Sequence, residues 1–236
     1  MRNFYIDGTS SATYNIFASG ENTYNAAERD VSSIEVPGRS GNLLVDNGRF
    51  KNVDVKYPCV IPYGFQNNAN NIRAWLMSNS FGYHKITDDY DASHYRMGRV
   101  KGGIEFKPMY TNQAAALCDI TFDCKPQRFL TSGDVFTEYS AASFTVNNPT
   151  AFDSKPIVRL YGTGYVEFDN GAKITVNTAS GNYIEFDCET LNAVDSNGAN
   201  ANSKVTALGV PVLTSGGNAM SKTLTKVKIK PRWWEL

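Results

Sequence analysis

The chain has 236 residues, 42% of them hydrophobic, which is enough to bury one large core or two of ordinary size. Lys plus Arg and Asp plus Glu each number 23, so the formal net charge is zero, and no window concentrates the cations that hold a nucleic-acid backbone. No apolar run approaches the ~20 residues of a membrane-spanning helix, and the opening MRNFYIDGTSSATYNIFASG lacks the apolar centre of a secretion signal, so a soluble chain made in a cytosol is expected.

Thirteen Tyr, thirteen Phe and nineteen Gly, spread over short alternating runs broken by turn residues, point to a mainly β protein. The first informative stretch is IEVPGRSGNLLVDNGRFKNVDV, residues 34 to 55. A Pro37-Gly38-Arg39-Ser40-Gly41 turn precedes a strand-like run from Leu43, and Asp46-Asn47-Gly48 precedes another. The glycines do not make a phosphate loop, because NLLVD follows Gly41 with neither Gly-Lys-Ser/Thr nor a helix.

In NNANNIRAWLMSNSFGY, Ile72, Trp75, Leu76 and Asn79 recur at helical spacing. The pattern predicts a helix of about three turns, capped by Asn67 or Asn68, stopped at Gly82 and laid by its Ile/Trp/Leu stripe on a sheet. The acidic run TDDYDASHYR follows, with Asp88, Asp89, Asp91 and His94. As a calcium loop it fails, since His94 replaces the required glycine and Val100 the closing glutamate. A polar turn is expected there, and no metal site. The only histidines are His84 and His94, and no serine sits in a G-x-S-x-G elbow, which removes the usual nucleophilic triads. A pair of carboxylates meeting only in space would leave no local trace, and an enzyme is the least favoured reading.

ITFDCKPQ alternates Ile120, Phe122 and Cys124 with polar residues, and YIEFDCET does the same with Ile184, Phe186 and Cys188. The four cysteines, at 59, 118, 124 and 188, fit neither a redox pair nor a zinc knuckle and are expected as buried free thiols. Between residues 130 and 150 the texture turns to Ser, Thr, Asn and Pro, which places a domain boundary there: 1–132 and 133–236. YVEFDNGAKITV reads as a hairpin. A three-residue Asp169-Asn170-Gly171 loop pairs Phe168 with Ala172 and Val166 with Ile174, apolar against apolar, whereas a two-residue loop would set Phe168 against Lys173. NAVDSNGANANSK reads as an exposed loop. The end, VKIKPRWWEL, carries Trp233 and Trp234, which strand alternation would divide between core and surface; both are candidates for a surface or partner contact.

AERDVSSIEVPGRSGNLLVDNGRFKN, NIRAWLMSNSFGYHKITDDYDASHYRMGRVKGGIEF, ITFDCKPQRFL, NPTAFDSKPIVRLYGTG and KIKPRWWEL follow one another in an order that resembles the distal tail protein (Dit) family of long non-contractile-tailed bacteriophages. The resemblance covers nearly the whole chain. It implies an N-terminal β-sandwich with one helix that forms a homo-hexameric ring, and a C-terminal galectin-like β-sandwich. It further implies a place at the virion's tail tip, joining the tail tube protein to a tail-associated fibre or lysin protein, with receptor-binding proteins as further candidates and DNA passing through the ring. No cofactor, sequence-specific nucleic-acid contact or membrane insertion is implied. In this setting Gly38, Arg39, Gly41 and Arg49 become candidates for the ring interface, an intradomain ion pair being the competing role for Arg39. The alternative function is a lectin-like module that binds host carbohydrate.

Overall fold

The computed structural model describes residues 2–19, 25–109, 111–179 and 181–236. It is mainly β, as expected, and divides into two compact units, Met1–Arg128 and Phe129–Glu235, with the boundary inside one long strand.

In the first unit the elements are β1 (Phe4–Ile6), β2 (Thr9–Ser10), β3 (Phe17–Ala18), β4 (Arg29–Ile34), β5 (Leu43–Phe50), β6 (Val53–Ile61), α1 (Phe65–Ser78), β7 (His84–Asp88), β8 (His94–Val100), β9 (Phe106–Met109) and β10 (Ala115–Leu130). The main sheet runs β2-β1-β7-β8-β10-β6-β3, with β9 also on β10, while β4 and β5 form a separate hairpin. The alternation read in ITFDCKPQ sets the register: Ile120 lies opposite Tyr57 and Phe122 opposite Val55, so one face of the sheet is apolar and buried. Cys59 lies directly opposite Cys118, and all four cysteines are free and buried as expected.

Ile72, Trp75 and Leu76 of α1 join this core, where Trp75 stacks on Phe4 and Tyr14. The helix begins earlier than its sequence suggests. Phe65 is 4% exposed and its N–H donates to Ala114 O at 3.0 Å, so tertiary anchoring recruits the first turn. The N-cap is Gly64 at φ +72°, with no side-chain cap bond, rather than Asn67 or Asn68. The helix ends at Asn79, whose amide donates to Trp75 O, and Gly82 lies beyond it at φ +80°.

The second unit contains β11 (Thr137–Tyr139), β12 (Ser143–Asn148), β13 (Ile157–Tyr161), β14 (Gly164–Glu167), β15 (Lys173–Val176), β16 (Ile184–Asp187), β17 (Asn192–Asp195), β18 (Val205–Leu208), β19 (Gly216–Lys222), β20 (Lys226–Lys230) and β21 (Trp234–Glu235). Two five-stranded sheets, β11-β20-β13-β16-β17 and β12-β19-β14-β15-β18, share a single core and make a sandwich. The β14–β15 hairpin has the three-residue loop: Val166 pairs with Ile174, Phe168 N–H donates to Ala172 O at 2.8 Å, and Gly171 takes φ +79°. Among the described residues no helix is long and apolar enough to cross a membrane.

Candidate interaction surface

The stretch around Pro37-Gly38-Arg39-Ser40-Gly41 is the tip of the β4–β5 hairpin. Arg39 N–H donates to Val36 O at 3.2 Å, and Gly38 and Gly41 take φ +79° and +81°, so the reversal depends on two residues without side chains. A Cβ at either would meet nothing within 4 Å, which places both in open space.

Every residue from 31 to 49 is exposed. That is an unusual environment for the apolar residues this hairpin carries. Val31, Ile34, Val36, Leu43, Leu44 and Val45 are all exposed, Leu44 to 68%, and none joins the core of the unit. The register pairs Val31 with Asp46, Ser32 with Val45, Ser33 with Leu44 and Ile34 with Leu43, so aliphatic side chains emerge on both faces. Polar contacts hold the two strands together. Asn42 Nδ2 donates to Ser33 Oγ at 2.8 Å and Asn47 Nδ2 donates to Ser32 Oγ at 3.1 Å, while within β5 Gly48 N–H donates to Asp46 Oδ1 at 2.8 Å opposite a bulge between Arg29 and Val31.

The two arginines of the candidate set have different surroundings. Arg49 Nε lies 2.7 Å from Asp30 Oδ2 across the hairpin. That contact holds the Asp30 carboxyl below the usual carboxylate range. Among the described residues the Arg39 side chain has neither a hydrogen bond nor an ion pair, and it stands exposed at the tip. The sequence reading singled out the turn and its arginines but missed the aliphatic residues beside them. Leu43, Leu44 and Val45 form a continuous apolar run, as in a strand buried on both faces.

The tryptophans divide. Trp233 is 6% exposed within the second core, and Gly133 lies directly against it, so its proposed role as a surface contact is corrected: the ring fills the sandwich interior. Trp234 is half-buried, stacked on Phe152 with centroids 4.4 Å apart, and its Nε1–H donates to Asp153 O at 2.9 Å. The acidic run is a polar turn between β7 and β8. Asp88 accepts from the Tyr57 hydroxyl and from the N–H groups of Tyr90 and Asp91, and Asp91 accepts from Arg128 and from Ser93. Among the described residues no group of three metal-ligating side chains converges.

No protein-family model and no curated protein sequence matches the chain. Among solved structures, the crystal structure of the Dit protein of phage SPP1, a paradigm of the hub adsorption apparatus in phages that infect Gram-positive bacteria, aligns with a TM-score of 0.70 at 14% identity over 97% of each chain. A chain of the phage P2 baseplate, in its activated conformation with calcium, aligns with a TM-score of 0.53 at 12% identity, again over 97% of each. The likeness is one of fold, and over nearly its whole length the chain folds like Dit, the hub protein of a phage tail.

Proposed function

We propose that the protein is a structural hub of a phage tail tip: a homo-hexameric ring that joins the tail tube protein to the fibre or lysin protein of the adsorption apparatus and leaves a passage for DNA. The fold shared with hub and baseplate proteins supports the reading. The observation in this chain that carries it is the β4–β5 hairpin, which bears six exposed aliphatic residues and rests on no core of its own. A two-stranded hairpin is marginal by itself, and an exposed apolar patch of this kind marks a surface that is covered in the working assembly. A closed ring needs a heterologous interface, in which one patch meets a different patch on the next copy. The hairpin is the first of those two patches, with Arg39 at its tip available to pair with a neighbour's carboxylate or carbonyl groups.

The first unit is the ring-forming domain and the second the outward, galectin-like domain, to which receptor-binding proteins attach. The protein is made in the host cytoplasm and acts in the virion. We read it as non-catalytic, in keeping with its structural neighbours. The carbohydrate-binding alternative is weakened by the tryptophans: one ring is buried and the other is half-buried with a face already stacked on Phe152.

Light scattering after size exclusion, with negative-stain images of the peak, tests the proposal. A mass six times that of the chain and ring-shaped particles are expected. A strict monomer at every concentration, alone and with the tail tube protein added, would overturn it.

A further inference from the structure

Arg96, on β8 opposite Ile86, projects on the core side of the first unit's sheet, where arginine is uncommon. A guanidinium carries five N–H donors in a fixed fork. Among the described residues only one of its nitrogens has an acceptor: Nη2 donates to Asn25 O at 3.2 Å. Nη1 is buried with no partner. Among the described residues no carboxylate comes within ion-pair distance; burial together with the nearby Arg128 charge pulls the Arg96 pKa below the usual arginine value, and the more distant Asp88 charge offsets only part of this. A buried donor left unmatched costs stability, and a bound water or ion is one way a native structure satisfies such an orphan.

The occupant has a place. Arg96 lines a cavity of about 50 Å³ together with Arg128, His94, Tyr57, Asp88 and Asp91. On this measure a single water needs roughly 10–15 Å³, so the space suits a group the size of several waters. The carboxylates of the lining are already engaged. Asp88 accepts from the Tyr57 hydroxyl and from two backbone N–H groups. Asp91 accepts from Arg128, from His94 Nδ1 at 2.8 Å and from the Ser93 hydroxyl and N–H. The acids therefore have their donors, and Arg96 Nη1 lacks an acceptor. Of the two guanidinium groups facing the cavity, Arg128 is already paired with Asp91, whereas Arg96 has no carboxylate within ion-pair distance among the described residues.

We propose that this cavity is a binding site for a small tetrahedral oxyanion, inorganic sulfate or phosphate, held by Arg96 and bridged towards Arg128. Arginine's planar fork matches two oxygens of such an anion at once, which a point-charge cation cannot do. The site is independent of the hairpin and of the assembly reading, and it closes the polar end of the first unit's core.

Isothermal titration of the full chain with sodium sulfate, in chloride buffer of matched ionic strength, tests it. Wild-type protein is expected to show one saturable site per chain and a sulfate-dependent rise in melting temperature that saturates with it. Arg96→Met, verified as folded by circular dichroism, should lose the saturable site. Arg96→Lys, which keeps the charge and loses the fork, should bind at least tenfold more weakly, and it serves if the methionine variant fails to fold. Sulfate also stabilises proteins non-specifically by exclusion from their surface, and this effect survives in the variants. Absence of a saturable site in wild type, or equal binding by either variant, would overturn the proposal and assign the cavity to water.

Discussion

Gly133 lies against Trp233 so closely that a Cβ at residue 133 would come within 2.5 Å of the Trp233 backbone nitrogen. Arg232 N–H donates to Gly133 O at 2.9 Å, and Leu130 N–H donates to Trp233 O at 2.9 Å. The end of the chain is therefore laced to residues 130–133, and the atom a methyl group would meet first is the Trp233 backbone nitrogen. Gly133→Ala should destabilise the second unit by about 1–3 kcal/mol, as overpacking does in cores. Urea unfolding followed by near-UV circular dichroism measures this, and an unchanged midpoint would show that the backbone yields without cost.

The two neighbouring tryptophans should respond differently to truncation. Trp233→Ala empties a core position and should cost roughly 3–5 kcal/mol. Trp234→Ala removes a partly exposed stack on Phe152, worth about 0.5–1.5 kcal/mol beyond its buried area. Chemical unfolding of the two variants side by side should rank them in that order, and acrylamide should quench Trp234 fluorescence before that of Trp233.

His84 and Asp7 set a pH window. His84 Nδ1 lies 2.7 Å from Asp7 Oδ2, and Lys85 N–H donates to Asp7 Oδ1 at 2.8 Å. The hydrogen bond to Asp7 raises the His84 pKa above 6.5. Partial burial pushes Asp7 up, but the bonds from His84 and Lys85 outweigh it and leave the carboxyl below 3.8. A raised histidine contributes stability that is fully present below its unfolded value and is lost as pH rises through its folded value. A depressed carboxyl contributes stability present above its unfolded value and lost as pH falls through its folded one. The clasp is thus strongest between about pH 4 and pH 6.5 and fades on the alkaline side as His84 deprotonates. His84→Gln should flatten the stability profile above pH 6, and NMR titration of the imidazole should give a midpoint above 6.5.

On the hairpin, Leu44→Lys should break up the proposed hexamer while leaving the unfolding midpoint of the free protomer unchanged, because Leu44 is 68% exposed and touches no core. Arg39→Ala should weaken assembly without affecting protomer stability; a ring that forms unchanged would remove Arg39 from the interface. Arg49→Ala should leave assembly intact if the arginine's role is its ion pair with Asp30. Light scattering of the three variants at equal concentration separates these outcomes.

Much of the fold was legible because a two-residue period has few readings. The pairing of Val166 with Ile174, and the loop it requires, followed from keeping apolar residues on one face, and the β6–β10 register obeys the same rule. The start of α1 was not legible. Asn67 and Asn68 are good caps by local chemistry, but Phe65 gains more from burial than an asparagine cap provides. At the C-terminus alternation counted from Ile229 turns residues 231 and 233 inward, and Trp233 is the buried ring although Pro231 and a left-handed Arg232 at φ +56° interrupt the strand. The hairpin was hidden for a different reason. Leu43 to Val45 look like any strand segment, and no local pattern distinguishes residues that meet their own core from residues that meet nothing.

The charges of that hairpin are unevenly distributed along its length. Arg29 pairs with Asp46, Asp30 with Arg49 and Glu28 with Lys51, all towards its base, whereas Ile34, Val36, Leu43, Leu44 and Val45 lie towards the tip. A lone hairpin has two unpaired edges that invite strand addition, and charged side chains along an edge discourage it. The base is therefore guarded against sheet extension while the tip stays adhesive. Any molecule covering the hairpin meets an abrupt limit where the ion pairs begin, which defines how far along the arm it can dock.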